Sequence, residues 1–482
     1  MNQNNPILSA THPFLLIHEA ARVAPNEVGL VVDGKQYSYS EASVAIFSMA
    51  EFLRSRGITS GDLVAIDLPM DLDFFAKHAL FLLGATSCSL FGFLKVPEGL
   101  DANWLVTITG KHPLTEQTVL FEIGGVALKP ELKITDFDLG FVEADRPALL
   151  IYTSGTTGSN KAVVITDSQL VGRVGPYRQP DSGDLVRVCL IFNSGIGLFT
   201  QLEQLTRLKP VVFASNNPEG ILAVLEKVKV TGLVASPAQL VSLVEIPGID
   251  RFLSQIEEFL VSGSLVTDQQ LTVLENAAPK AQIRTLFGAN ETGVVSTSIR
   301  KPHTKPGLVG PPAYGAEIEI VNESGASVSV GEIGIVRTKT SYMATYYHND
   351  MIESARSFRD GWFYPGDLGY LDEEGNLHLA GRTSDVINAG GVKIRPHDVE
   401  SKVLTLDGIS DCAGVEVMGP SGISAFGLAV VGEENIDLVR LEKLLKSYFP
   451  FGSPSVYTQI DQLPRNQNGK IDKAVLKAML ES

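Results

Sequence analysis

From Ser38 to Phe287 the chain alternates helix-patterned segments with short apolar runs patterned for strands. That alternation restricts the fold more than any other feature. Ser38-Tyr39-Ser40-Glu41 has the spacing of a capping box, followed by apolar Ile46, Met49, Ala50 and Leu53 and by Gly57 as a stop. Asp62 to Ile66 then reads as a strand. The pattern predicts further helices near Pro218 to Lys229, Pro237 to Val244 and Asp268 to Asn276. Between and after them it predicts strands at Thr231 to Ala235, Phe259 to Ser262 and Gln282 to Phe287. Such alternation calls for an α/β fold of mostly parallel sheet with helices on both faces. Ligand loops in such sheets lie beyond the carboxyl ends of strands, where Thr153, Ser236, Gly263 and Gly288 are expected.

From about Ala316 the texture changes. Ala316 to Asn322, Gly331 to Thr338 and Asn376 to Ala380 read as short strands parted by turn residues, a small antiparallel β subdomain. At 482 residues the chain is too long for one ordinary core. With 39 Lys and Arg against 55 Asp and Glu, the net charge of −16 would repel a phosphate backbone, so no nucleic-acid partner is expected. Cys88, Cys189 and Cys412 are scattered, with no metal-ligand spacing; reduced core thiols and a cytoplasmic setting follow. The opening MNQNNPILSATHPF lacks the basic and apolar regions of a secretory signal. The apolar stretch HALFLLGATSCSLFGFL is broken by Gly and Ser and is too short for a comfortable membrane span. It reads instead as a buried helix ending at Gly84 and a buried strand.

After the apolar run Ala148 to Ile151, the residues Tyr152-Thr153-Ser154-Gly155-Thr156-Thr157-Gly158-Ser159-Asn160-Lys161 form a loop rich in hydroxyls and small side chains. Many donors, close backbone approach and one lysine are what a polyphosphate requires. It is not a Walker A loop, because no Gly-Lys-Ser/Thr occurs at that spacing. Three more segments follow in order: FGANETG (Phe287 to Gly293), WFYPGDLGYL (Trp362 to Leu371) continuing to LAGRTSDVINAGGVKIRPHDVE, and NQNGKID (Asn466 to Asp472).

Together these four segments resemble the adenylate-forming superfamily of acyl-CoA synthetases, peptide-synthetase adenylation domains and luciferases. The resemblance implies an adenylation core at residues 1–383, built of parallel-sheet α/β subdomains plus the antiparallel β subdomain. A small mobile α+β domain at 384–482 would follow, hinged two residues after Arg382. It implies ATP-dependent activation of a small carboxylic acid as an acyl adenylate, with release of pyrophosphate. Thioester formation would follow, with CoA or with the phosphopantetheine arm of a separate carrier protein. A non-catalytic nucleotide- or acyl-binding protein is the alternative of another class.

The site residues follow from the same resemblance. Thr153, Ser154, Gly155, Thr156, Thr157, Gly158 and Lys161 would hold the phosphates, and Glu291 would hold Mg²⁺. Phe287 would stack on the adenine, Gly288 would join the nucleotide-binding residues, Asn290 would meet the α-phosphate, and Asp367 and Arg382 the ribose. Lys470 would bridge the substrate carboxylate and the α-phosphate, as a cation placed where charge develops. Gly390 and Gly391 would line the thiol path after rotation of the C-terminal domain. Asn193, Ser236, Gly263, Ala289 and Val294 are candidate walls of the acyl pocket.

The chain departs from the superfamily pattern at four places. Phe287 replaces a tyrosine, Asn290 a threonine, Ser384 the hinge Asp or Lys, and Ala162 the glycine after the loop lysine. Asn193 stands where an Asp would pair with an α-ammonium group, which points away from free amino acids and toward an aryl or medium acyl acid.

Overall fold

The computed structural model describes residues 12–481 apart from 92–95, 98, 109–117, 121–125, 140–144, 154–160, 175–184, 192–193, 265, 302–306, 390–391, 419–423, 434 and 466–470; of 118–120 it gives the backbone alone. Two parallel sheets share one layer of helices. An 8-stranded sheet runs in the order Gly293–Arg300, Gln282–Ala289, Glu258–Val261, Gly232–Ala235, Arg187–Cys189, Val211–Phe213, Val28–Val32, Lys35–Ser38. Its inner pairs are parallel, and each edge closes with an antiparallel partner. A 6-stranded sheet runs Thr118–Leu120, Trp104–Thr107, Leu63–Asp67, Thr86–Ser89, Pro147–Thr153, Lys161–Thr166. All of its pairs are parallel except the last.

Helices Pro13–Val23, Tyr39–Ser55, Met70–Leu83 and Gly195–Thr206 lie between these sheets, and their apolar faces join strands of both in one core. Local chemistry sets several of the helix ends. Ser38 accepts from the Glu41 amide while the Glu41 side chain accepts from the Ser38 amide, the expected capping box. Met70–Leu83 is buried almost all round, and Gly84 closes it with φ of 77°, a conformation that other residues adopt only with strain. Being a core helix between two sheets accounts for its apolar sequence. No helix among the described residues is long and apolar enough to cross a membrane. Cys88, Cys189 and Cys412 are free and buried.

One expectation about the sheet needs correction. Gly288 lies inside a strand and not in a loop: the parallel ladder ends at Val261↔Thr285, but Gln282–Ala289 continues and folds back as Gly293–Arg300. Backbone pairing with a following segment extended the strand past the sheet, which a single apolar run does not reveal.

The third sheet, 7-stranded and antiparallel, contains Leu308–Gly310, Ala316–Val321, Gly334–Thr340, Phe358–Arg359, Trp362–Phe363, Asp367–Leu371 and Leu377–Arg382. Beyond it come the hairpin Ile387–Ala389/Val392–Ile394 and the sheet Ile409–Met418, Ser424–Gly432, Val456–Gln459. Helices Pro396–Val403, Leu438–Tyr448 and Lys473–Glu481 accompany them. The apolar clusters of this last segment draw only on residues from Ile387 onward.

Candidate active site

Thr153 ends one strand and Lys161 opens the next, facing it in antiparallel register. The loop residues Ser154, Gly155, Thr156, Thr157 and Gly158 lie outside the described residues. The element after the loop is a strand, so no helix terminus adds its dipole at Lys161, in contrast to a Walker A site. Lys161 is not a free charge. Its Nζ lies 2.5 Å from Glu353 Oε1 and 5.4 Å from the centre of the Tyr347 ring. Glu353, in helix Met351–Ser357, also accepts from the Ser357 hydroxyl at 2.9 Å. Burial pushes the Glu353 carboxyl up, but the Lys161 and Ser357 hydrogen bonds outweigh it and hold it below the usual range.

Tyr347 links this lysine to Glu291. Its hydroxyl donates to Glu291 Oε1 at 2.7 Å, and burial, with the neighbouring Glu291 charge, raises the phenol far above its ordinary value. Tyr347 therefore stays a donor at any physiological pH. Glu291 is 6% exposed, and its backbone carbonyl accepts from Arg173 Nη2 at 3.2 Å and from the Ala344 amide at 2.7 Å. Burial lowers Arg173 only to about 10, so it stays charged at neutral pH. The carboxylate is thus fixed at both its backbone and its side chain.

Asn290, on the turn between Gln282–Ala289 and Gly293–Arg300, accepts from the Gly195 amide through Oδ1 at 2.9 Å. Phe287 is partly buried against Val309, Ile320, Val336 and Leu377. Asp367 and Arg382 face each other across adjacent strands and pair with each other, Oδ1 to Nε at 3.1 Å.

Of the expected acyl-pocket walls, Val294 is buried beside Gly288 in the hairpin, Ala289 faces Gly293, and Gly263 has φ of 96°. Ser236 is fully buried; its hydroxyl oxygen caps helix Pro237–Val244 by accepting from the Gln239 amide at 3.4 Å, and the hydroxyl donates to Gln239 Oε1 at 2.8 Å. That hydroxyl is committed to the helix. Asn193, Gly390, Gly391 and Lys470 lie outside the described residues.

The sequence reading missed Tyr347, which stands 56 residues from Glu291, and Glu353, which stands 192 from Lys161. No local pattern links residues so far apart. It also missed the contact at the expected hinge, where Asp385, next to Ser384, pairs with Lys473 at 2.5 Å. This pair borders a cavity of about 160 Å³ that Arg382, Arg395, His397 and Glu400 also line. Burial pushes the Glu400 carboxyl up to about 7.

Residues 102–348 match the family model of AMP-binding enzymes. The chain is 27% identical to the 2-succinylbenzoate–CoA ligase of Listeria monocytogenes serotype 4b (strain F2365), over 96% of this chain and 98% of that protein. It is 24% identical to a feruloyl-CoA synthase of Amycolatopsis, over 95% and 96%. Its fold matches an o-succinylbenzoate coenzyme A synthetase from Bacillus subtilis in complex with AMP, at a TM-score of 0.77 and 23% identity, covering 96% of this chain and 98% of that one. With over half its length matched, and with Lys161 linked through Tyr347 to Glu291 and its neighbour Asn290, the chain belongs to the AMP-binding enzyme family, within the adenylate-forming superfamily.

Proposed function

We propose that this enzyme activates an aryl or medium acyl carboxylic acid with ATP, releases pyrophosphate, and transfers the acyl group to the thiol of CoA. One observation carries the reading: Lys161 and Glu291, far apart in sequence, meet through Tyr347 beside the carboxyl end of strand Pro147–Thr153, the end of the strands where ligands bind in α/β folds. The curated relatives, matched over nearly the whole chain, bear the names of acid–CoA ligases.

An acid must approach a triphosphate, and both are anions. Thr153, Ser154, Gly155, Thr156, Thr157, Gly158 and Lys161 would take the phosphates as pyrophosphate leaves. Glu291 suits a hard cation, being an oxygen ligand with one carboxylate oxygen already oriented by Tyr347. A bound Mg²⁺ would supply charge neutralisation on the phosphates. Phe287 would stack on the adenine with Gly288 beside it in the chain, and Asp367, held by Arg382, would meet the ribose. Lys470 would place its cation between the carboxylate and the α-phosphate. Residues 384–482 would then rotate about Ser384 to bring Gly390 and Gly391 to the thiol path; the separate apolar clusters beyond Ile387 support such a unit. A cytoplasmic location fits an ATP- and CoA-dependent reaction.

The test is acid-dependent exchange of labelled pyrophosphate into ATP across a panel that includes ferulate and 2-succinylbenzoate, followed by CoA. Exchange with one acid and a CoA thioester of that acid are expected. No exchange with any acid would overturn the reading in favour of a binding protein; exchange with thioester formed only on a carrier protein would replace the acceptor.

A further inference from the structure

We infer that Asn290 is a positioning residue for the acid, because its side-chain carbonyl pins the start of helix Gly195–Thr206 to the nucleotide side of the cleft. A backbone N–H can only donate, so the 2.9 Å contact from Gly195 fixes which end of the amide faces it. The Asn290 NH₂ group takes no part in this contact. The next residue along the chain, Glu291, is itself held by Tyr347, Arg173 and Ala344. The helix is therefore tied to the most constrained part of the site.

The tie also reaches the segment before the helix. Ser194 caps it, accepting from the Gly197 amide at 3.1 Å and donating its hydroxyl to the Ile191 carbonyl at 2.8 Å. Ile191 and Ser194, within the segment Ile191 to Gly197 where the acyl pocket is expected, are thus joined, and the neighbouring Gly195 hangs on Asn290. Residue 195 must be glycine for this to work, since a Cβ there would lie 2.4 Å from Asn290 Oδ1. Threonine, the residue the superfamily pattern places at position 290, carries its oxygen one bond nearer the backbone and would release the contact. One hydrogen bond thus sets the separation between the acid-binding segment and the residues around the α-phosphate, where small displacements cost rate.

The kinetic part of this inference rests on the acid-activation reading above, but the clamp itself does not. Hydrogen exchange of the free enzyme, read by mass spectrometry on a peptide that begins well before Gly195 and runs through Phe199, tests the clamp. Asn290→Thr should speed exchange at the helix start about tenfold, as expected for one lost hydrogen bond. Asn290→Asp, which keeps an acceptor, should preserve protection. Unchanged protection in Asn290→Thr would overturn the inference.

In pyrophosphate exchange with whichever of ferulate and 2-succinylbenzoate the wild type uses better, Asn290→Thr should raise the KM for the acid about five- to tenfold with the KM for ATP unchanged. Gly195→Ala should do the same, and the double variant should add little to either. Additive effects, or a change confined to the KM for ATP, would overturn the positioning role. If neither acid is used, another acid of the panel takes their place; wild-type inactivity with the whole panel would instead count against the proposed function and leave the exchange measurement to decide the clamp.

Discussion

At the amino ends of the strands in the 8-stranded sheet, Arg187 pairs with Glu203 at 2.6 Å and Glu258 at 2.8 Å. Arg207 and Arg284 complete the group at 2.8 and 3.0 Å. At the carboxyl ends, Glu291 meets a neutral tyrosine, and Asn290 meets a backbone amide. Both groups are packed into the protein, but their chemistry differs. Around Arg187 opposite charges answer one another: burial works against the guanidinium, yet Glu203 and Glu258 raise it above its ordinary range. Around Glu291 the carboxylate accepts from a neutral phenol, while the charged Arg173 donates to the backbone carbonyl. A buried carboxylate whose hydrogen bond comes from a neutral donor keeps capacity for a ligand, whereas a closed ion network has little left to give.

The sharpest way to break this contrast is at the closed end. Arg187→Met leaves Glu203 and Glu258 buried without their shared partner and should cost on the order of 3–5 kcal/mol of stability, with the KM for ATP unchanged. Chemical denaturation with steady-state kinetics measures both, and a kinetic defect without destabilisation would place Arg187 in the site. The reverse pattern is expected of Lys470→Ala. Adenylation should fall about 10²- to 10³-fold at an unchanged melting temperature, with thioester formation from preformed acyl adenylate largely spared. Equal loss in both half-reactions would contradict the rotation of 384–482.

Glu400, beside the Asp385–Lys473 pair, gives a pH test. Its carboxyl is raised from an ordinary 4.5 to about 7, so the folded chain binds a proton more readily than the unfolded one. The resulting stability is present below pH 4.5 and is lost as pH rises through about 7, up to on the order of 3 kcal/mol. Glu400→Gln should flatten that slope in melting curves; a wild-type slope retained in the variant would assign it to another group. The smallest effect is expected of Tyr347→Phe. Losing one hydrogen bond to a carboxylate should raise the Mg²⁺ concentration for half-maximal exchange about tenfold, and an unchanged requirement would detach Tyr347 from Glu291.

Much of the architecture was legible because its causes are local. Helix Pro237–Val244 has the ends expected from its apolar spacing, and the Ser38/Glu41 box lies within one turn. Gly288 was misread because strand length there depends on pairing with Gly293–Arg300, a partner that the apolar run itself does not announce. Within the site, Glu291, Lys161 and Asn290 could be nominated from their motifs. Ser236 could also be nominated, and only the neighbouring Gln239 assigns its hydroxyl to a helix cap.

The sequence alone determined the parallel-sheet plan, the order of the motifs and the kind of chemistry their residues can perform. Those depend on side-chain pattern over a few residues and on the identity of donors and charges. The tertiary structure decided which charges remain open. It set Lys161 against Glu353 and Tyr347 between Lys161 and Glu291, and it tied Asn290 to Gly195. Those contacts form only when strands from distant parts of the chain are brought to one edge, so no local stretch encodes them.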